Sequence, residues 1–296
     1  MASNNERVGW SLSGWDDPAL LDHASELRHD PENLVRLWKS AGSQLLLVDQ
    51  QGRFDIDPFG RALIDADGAV PTESTIFVGL LDGTAWFARR VDAALSTTMR
   101  HAPLSAGQRE IASAALASLN WYRRSRHCVV CGGPLVRTLG GFAAVCRDCD
   151  TETFPRTDPA IICAVLDPGD RIYLAHQNSW LDGRVSVLAG FIEAGESVEQ
   201  AVAREIGEEV DLRLTAMRYL GSQPWPLPRS LMLSFVARST GGGQVDGEEL
   251  AWGGWDSREQ VVSGLHDQQL TLPPGASVGR RLVNSWLQGT LPSPEG

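Results

Sequence analysis

Apolar positions along this chain fall into two kinds of run. The stretches "SQLLLV", "TIFVGLL", "TAWFARRV", "PAIICAVLD", "RIYLAHQ" and "SLMLSFVAR" are short, rich in β-branched or aromatic residues, and bounded by turn formers. That pattern predicts strands, with "QQG" and "LDG" as turns between neighbours. "SAGQREIASAALASLNWYRR" and "SVEQAVAREIGEEV" repeat their apolar residues at helical spacing instead. In the second, Val198, Val202, Ile206 and Val210 recur every four residues and form one buried stripe. Ser197 and Gln200 make an S-x-x-Q capping box, so this helix starts after Ser197. "LPPGASVGRRLVNSWLQ" reads as a proline-led opening into a C-terminal helix, and the tail "LPSPEG" is expected to fray. No internal repeat or low-complexity segment interrupts the order.

These elements predict an α/β (α+β) chain of three parts. Residues 1–124 read as an N-terminal α+β domain, 125–156 as a glycine-rich segment with no core of its own, and 157–290 as a second α/β domain. No chemistry is assigned to the first 95 residues from their pattern.

Composition narrows the function. The chain has 296 residues, 43% of them hydrophobic, which is enough for several packed cores. No apolar run approaches the roughly 18 residues of a membrane span. The start "MASNNERVGW" lacks the apolar stretch of a secretory signal, so a cytoplasmic location is expected. The net charge of −11 argues against a general grip on nucleic acid. Against that acidic background, Arg100 to Arg147 holds seven arginines and one acid, Glu110. This is either a solvated face or a surface that meets phosphates.

Four of the five cysteines, Cys128, Cys131, Cys146 and Cys149, form two C-x-x-C pairs separated by 14 residues. The spacing matches a tetrahedral zinc ribbon, and four protein ligands leave no open coordination position, so the zinc is structural. A redox dithiol is the alternative. Cys163 sits alone in a strand-like run and reads as a small core residue.

The decisive stretch is "GFIEAGESVEQAVAREIGEEVDL", which holds six glutamates in 23 residues. Glu205, Glu208 and Glu209 fall beside the apolar stripe at i, i+3 and i+4, where like charges repel. A hard divalent cation, magnesium or manganese, would relieve that repulsion and bridge the carboxylates to phosphate oxygens.

The stretch resembles the Nudix box, G-x5-E-x7-R-E-U-x-E-E-x-G-U. It reads Gly190, Glu196, Arg204, Glu205, Ile206, Glu208, Glu209 and Leu212, and departs only at Asp211, where the box has glycine. The resemblance implies an αβα sandwich and a Mg²⁺- or Mn²⁺-dependent hydrolysis of a diphosphate. "GSQPWPLPRSLM" further resembles the SQPWPFPxS array of the NADH pyrophosphatase branch, with Leu227 in place of phenylalanine. A preceding zinc ribbon belongs to that branch too.

Carried over by position, the branch implies a catalytic set of Glu209, Glu205, Glu208 and Arg204, with Arg204 orienting the glutamates through an ion pair. The metal set is Ala189 through its carbonyl, Glu205, Glu208 and Glu209, with Glu249 as a further carboxylate and Glu248 as its alternative. The substrate-binding set is Phe154, Phe191, Gln223, Pro224, Trp225, Pro226, Leu227, Pro228, Arg229, Ser230 and Gly279. Within it, Phe191 and Trp225 stack on a base, and Phe154 stands where some relatives have tyrosine. Arg100 is a candidate phosphate contact. The implied reaction is attack of water on one phosphorus of NAD(H), giving NMN(H) and AMP, by an enzyme expected to be a homodimer. Removal of an NAD cap from RNA is the nearest alternative. A general ADP-ribose or nucleotide-sugar pyrophosphatase, and a non-catalytic nucleotide-sensing regulator, are further ones.

Overall fold

The computed structural model describes residues 15, 17–55, 71, 74–245 and 247–295. The segment "MASNNERVGW" and Ile56 of "RFDI" lie outside the described residues. The chain folds as two compact units. One comprises Asp17–Thr157 together with Pro224–Ser230; the other contains Asp158–Gln223 and the chain beyond Ser230.

In the first unit, strand β1 (Leu21–Asp22) precedes helix α1 (Pro31–Trp38) and strands β2 (Gln44–Val48), β3 (Ile76–Leu81) and β4 (Thr84–Arg90). They form a sheet in the order β1-β3-β4-β2, with β2 parallel to β4. The "LDG" turn joins β3 to β4, and both Asp82 (φ 50°) and Gly83 (φ 75°) are left-handed, as a two-residue hairpin turn requires. After "QQG" the expected second strand is reduced to a bridge at Phe54, which pairs with Val48 and Thr97. Helix α2 (Ala106–Arg124) begins with a reciprocal capping box of Ser105 and Gln108. Strands β5 (Leu135–Thr138), β6 (Ala143–Cys146) and β7 (Glu152–Thr153) make the cysteine-bearing ribbon. The ribbon draws on its neighbour for a core. Trp121 of α2 packs with Cys128, Leu135, Ala144 and Cys146, and Ser118 Oγ donates to the Gly141 carbonyl at 2.6 Å.

In the second unit, strands β8 (Asp158–Leu166), β9 (Ile172–Gln177) and β10 (Leu188–Phe191) are followed by helix α3 (Val198–Val210). Strands β11 (Leu214–Trp225), β12 (Ser230–Ser239) and β13 (Leu250–Asp256) and helices α4 (Arg258–His266) and α5 (Val278–Leu287) complete it. The sheet runs β11-β12-β8-β9-β13, with β10 paired to β8. Alternating side chains of β8 feed two cores. Ile162, Ala164 and Leu166 pack with Leu282, Val283 and Trp286 of α5, whereas Ile161, Cys163 and Val165 pack with Val202, Ile206 and Val210 of α3. The result is the αβα sandwich expected from the sequence, and Cys163 is a buried core residue.

The tail departs from expectation. Leu291 packs on the α5 side of the core, and Glu295 accepts from Arg238 Nε at 2.8 Å and Nη2 at 3.2 Å. An ion pair and an apolar anchor therefore hold this end where composition alone predicted fraying.

Candidate active site

Helix α3 carries the charge cluster. Its capping box is present in both directions, with Ser197 and Gln200 each satisfying the other's backbone N–H. Val202, Ile206 and Val210 are buried, so the helix docks through its stripe and turns the glutamates along one edge. It ends at Asp211, left-handed at φ 49° and ψ 41°, whose N–H returns to Gly207 and Ile206. Leu212 then buries itself in the α3 core. The expected glycine position thus keeps its conformation with aspartate in place.

Arg204 organises the carboxylates. Its Nε and Nη2 grip Glu196 in a two-pronged pair at 2.8 Å each, and Nη1 reaches Glu205 and Glu208 at 3.0 Å each. Nη2 also donates to the Phe191 carbonyl at 3.0 Å, tying the helix to the end of β10. The expected ion pair is present. The guanidinium holds the Glu196 carboxyl below the usual carboxylate range, while its bonds to Glu196 hold the Arg204 proton more tightly than normal. Burial pushes the Glu205 carboxyl up, against the pull of Arg204 and with help from the like charges of Glu208 and Glu249. Glu249 is therefore a carboxylate within electrostatic reach of Glu205, and its neighbour Glu248 presents its backbone carbonyl to Asn178 Nδ2 at 2.9 Å.

The glutamates differ in exposure. The Glu208 side chain is 64% exposed, that of Glu205 only 15%, and Glu209 is buried. Among the described residues only the four cysteines bring three or more metal-ligating atoms together, so a dication at the glutamates is a proposal, with two features in its favour. The donors are carboxylate oxygens, the preferred ligands of such an ion. Gly190 also forms a cradle for one of them, since a Cβ there would lie 2.0–2.4 Å from the Glu205 carboxyl atoms. Only glycine lets that carboxylate rest against the backbone that follows Ala189, the residue whose carbonyl was expected to join the set.

The zinc set is assembled in the other unit. The four Sγ atoms of Cys128, Cys131, Cys146 and Cys149 all lie within 4.8 Å of one another. Cys131–Cys146 and Cys128–Cys149 are 3.4 and 3.7 Å apart, close to the about 3.8 Å edge of a tetrahedron with Zn–S bonds of about 2.3 Å. Each C-x-x-C turn is built alike, with a left-handed residue after its second cysteine, Gly132 (φ 77°) and Asp150 (φ 55°). Backbone N–H groups of Val130, Gly133 and Asp148 point at sulfurs, each at 3.4 Å. Hydrogen bonds from the Thr151 hydroxyl and N–H pull the Cys149 thiol down, toward the thiolate a zinc ion needs, whereas, against the pull of the Gly133 N–H, Cys149 and Cys146 push the Cys131 thiol up. Gly133 leaves room for the Asp148 carboxylate, since a Cβ would sit 2.3 Å from Asp148 Oδ2 and push that exposed side chain aside.

The expected substrate residues divide between the units. Phe191, 60% exposed, stands at the end of β10 beside the Arg204 network. Gln223 is buried, and its carboxamide is taken up by backbone: Nε2 donates to the Ala276 carbonyl at 2.7 Å and Oε1 accepts from Val278 N at 2.8 Å. It fastens the chain leading into α5 rather than pointing its amide outward. Gly279, in the first turn of α5, is buried against the sheet, where a Cβ would meet Ser186 Oγ at 3.0 Å. Pro224, Trp225, Pro226, Leu227, Pro228, Arg229 and Ser230 belong with the N-terminal unit, as does the exposed Phe154. There Arg100 places its guanidinium carbon 5.2 Å from the Trp225 ring centroid. The sequence reading gave no role to Asn120, which donates to the carbonyls of Pro226 and Pro228. A polar residue amid the apolar positions of α2 was the available signal.

The NUDIX domain model matches residues 156–274. The crystal structure of a NUDIX hydrolase from Nitrosomonas europaea superposes with a TM-score of 0.39 at 19% identity, covering 50% of this chain and 97% of that one. NAD-capped RNA hydrolase NudC of Mycobacterium bovis is 35% identical over 294 residues, 90% of this chain and 92% of its own length. NAD-capped RNA hydrolase NudC of Pectobacterium carotovorum is 38% identical over 175 residues, 59% of this chain and 64% of that protein. The chain belongs to the Nudix hydrolases, which act on a phosphoric anhydride, and within them to the family of the NudC proteins. Among the described residues no helix is long and apolar enough to cross a membrane.

Proposed function

We propose that this protein hydrolyses the central pyrophosphate of NAD(H) to NMN(H) and AMP, and that the same site removes NAD caps from RNA 5′ ends. The single observation that carries the reading is the Arg204-centred carboxylate cluster of α3 against the Gly190 cradle, in a chain that also holds the SQPWPLP array. The second substrate is favoured by the near full-length likeness to a NudC protein whose name records that activity.

In this reading Glu205, Glu208, Glu209 and the Ala189 carbonyl hold Mg²⁺ or Mn²⁺, with Glu249 as a further carboxylate. The bound ion supplies positive charge against the phosphate oxygens and lowers the pKa of the attacking water. Arg204 keeps Glu205 and Glu208 in place while staying occupied itself, so it is a positioning residue rather than a phosphate contact. Glu209 is the essential carboxylate. Water forms the new P–O bond, the bridging P–O bond breaks, and each product leaves with one phosphate. Phe191 and Trp225 offer flat faces to the bases. Arg229, Ser230, Leu227 and Phe154 belong to the same substrate set by position. Gln223 and Gly279 belong to the set by position as well, and their own contacts are to Ala276, Val278 and Ser186. The four cysteines hold one structural zinc. Cytoplasmic action as a homodimer completes the reading, resting on family resemblance.

The test is product analysis. The intact chain with Mg²⁺ should convert NADH to NMNH and AMP, and NAD-capped RNA to NMN and 5′-monophosphate RNA. Absence of both reactions, or a much higher kcat/KM for ADP-ribose than for either substrate, contradicts the proposal. Sedimentation of the same sample reports the oligomeric state.

A further inference from the structure

The loop that follows Trp225, the last residue of β11, is poor in its own hydrogen-bond donors. Pro224, Pro226 and Pro228 lack N–H groups, so the segment has few backbone donors of its own, that of Leu227 to the Trp225 carbonyl at 2.7 Å being one. The bracing comes from helix α2. Asn120 is buried, and a buried carboxamide must place its donors and its acceptor on partners. Its Nδ2 donates to the Pro226 carbonyl at 2.8 Å and to the Pro228 carbonyl at 3.3 Å. Its Oδ1 accepts from Arg90 Nη2, and Arg90 Nη1 donates to the Asp49 carbonyl. The guanidinium has only donors, so only the oxygen of the Asn120 amide can face it. The NH₂ group is thereby forced toward the loop. The cation thus fixes the amide, the amide fixes the two carbonyls, and Trp225 is the residue immediately before the first of them. Arg100 lies over that indole, its guanidinium carbon 5.2 Å from the ring centroid.

We propose that Asn120, oriented by Arg90, is a positioning residue for dinucleotide recognition: it clamps Pro226 and Pro228 and so presents Trp225 to a base of the substrate. The proposal rests on the assignment of Trp225 as a stacking residue made above.

The experiment compares Asn120→Asp, Asn120→Ala and Trp225→Ala in the intact chain, by steady-state kinetics on NADH with Mg²⁺ and by thermal melting. Asn120→Asp preserves shape and the Arg90 contact but turns an acceptor toward two carbonyl oxygens. KM is a property of the folded molecules, whereas partial unfolding lowers only the apparent kcat. Loss of a base stack should raise KM about fivefold or more in Trp225→Ala, and about threefold or more in both Asn120 variants, with kcat within about twofold. An unchanged KM in Trp225→Ala overturns the stacking assignment itself. A raised KM in Trp225→Ala with an unchanged KM in the Asn120 variants overturns the positioning role alone. Loss of fold in both Asn120 variants assigns the residue to stability and overturns it equally.

Discussion

Gly190 bears no side chain, yet it decides where Glu205 can rest. A methyl group there would overlap the Glu205 carboxyl at 2.0–2.4 Å. The clash falls on the end of a flexible side chain, so Gly190→Ala should fold and melt nearly as the natural chain does. The carboxylate must move aside, and displacement by about 1 Å in such a site costs on the order of 10²-fold in turnover. We expect that loss in kcat for NADH with little change in thermal midpoint. Activity within about twofold of the natural chain would show that Glu205 is not held by this contact. At the same scale, the box glutamates, Arg204 and the four cysteines were legible in the sequence, because each belongs to a local pattern with fixed spacing. Gln223 was marked by the SQPWPLP array but its buried contacts were not legible, and Asn120 was marked by no pattern. Their partners lie 53 to 55 and 106 to 108 residues away, and no local spacing encodes such a pair.

At the scale of elements, the helix boundaries followed from the caps. Ser197 and Gln200 start α3 as the sequence indicated, and Asp211 ends it in the left-handed region. That conformation strains an L-residue, and glycine enters it freely. Asp211→Gly should therefore stabilise the protein by about 0.5–1 kcal/mol without altering the Mg²⁺ dependence of turnover. A weaker apparent Mg²⁺ affinity at unchanged stability would instead make Asp211 part of the metal site. The ribbon is the other element whose logic is local. Its strands have few apolar residues, so metal binding supplies much of its folding energy. The intact chain should hold one zinc per molecule. Chelation or Cys146→Ser should lower the thermal midpoint and expose Trp121, which packs on Cys128 and Cys146. Protein purified without chelator and free of zinc by elemental analysis would contradict this.

At the scale of the whole molecule, the sequence pattern divides the chain at residues 124 and 156, and one short segment groups outside that linear order. Residues 224–230, the end of β11, the turn after it and the first residue of β12, group with the N-terminal unit. Asn120 of α2 donates to two backbone carbonyls of that segment. The first 95 residues, which showed no chemistry in their pattern, contribute Arg90 and the Asp49 carbonyl to that bracing. The central claim remains the hydrolysis of a pyrophosphate by the glutamates of α3. The most direct measurement is kcat/KM for NADH with Mg²⁺ in the intact chain and in Glu209→Gln, whose amide keeps the shape of the buried side chain but not its charge. The account predicts a folded variant with a loss of about 10²-fold or more, the range of general-base and charge-dependent catalysis. Retention of more than about a tenth of the natural turnover would contradict it.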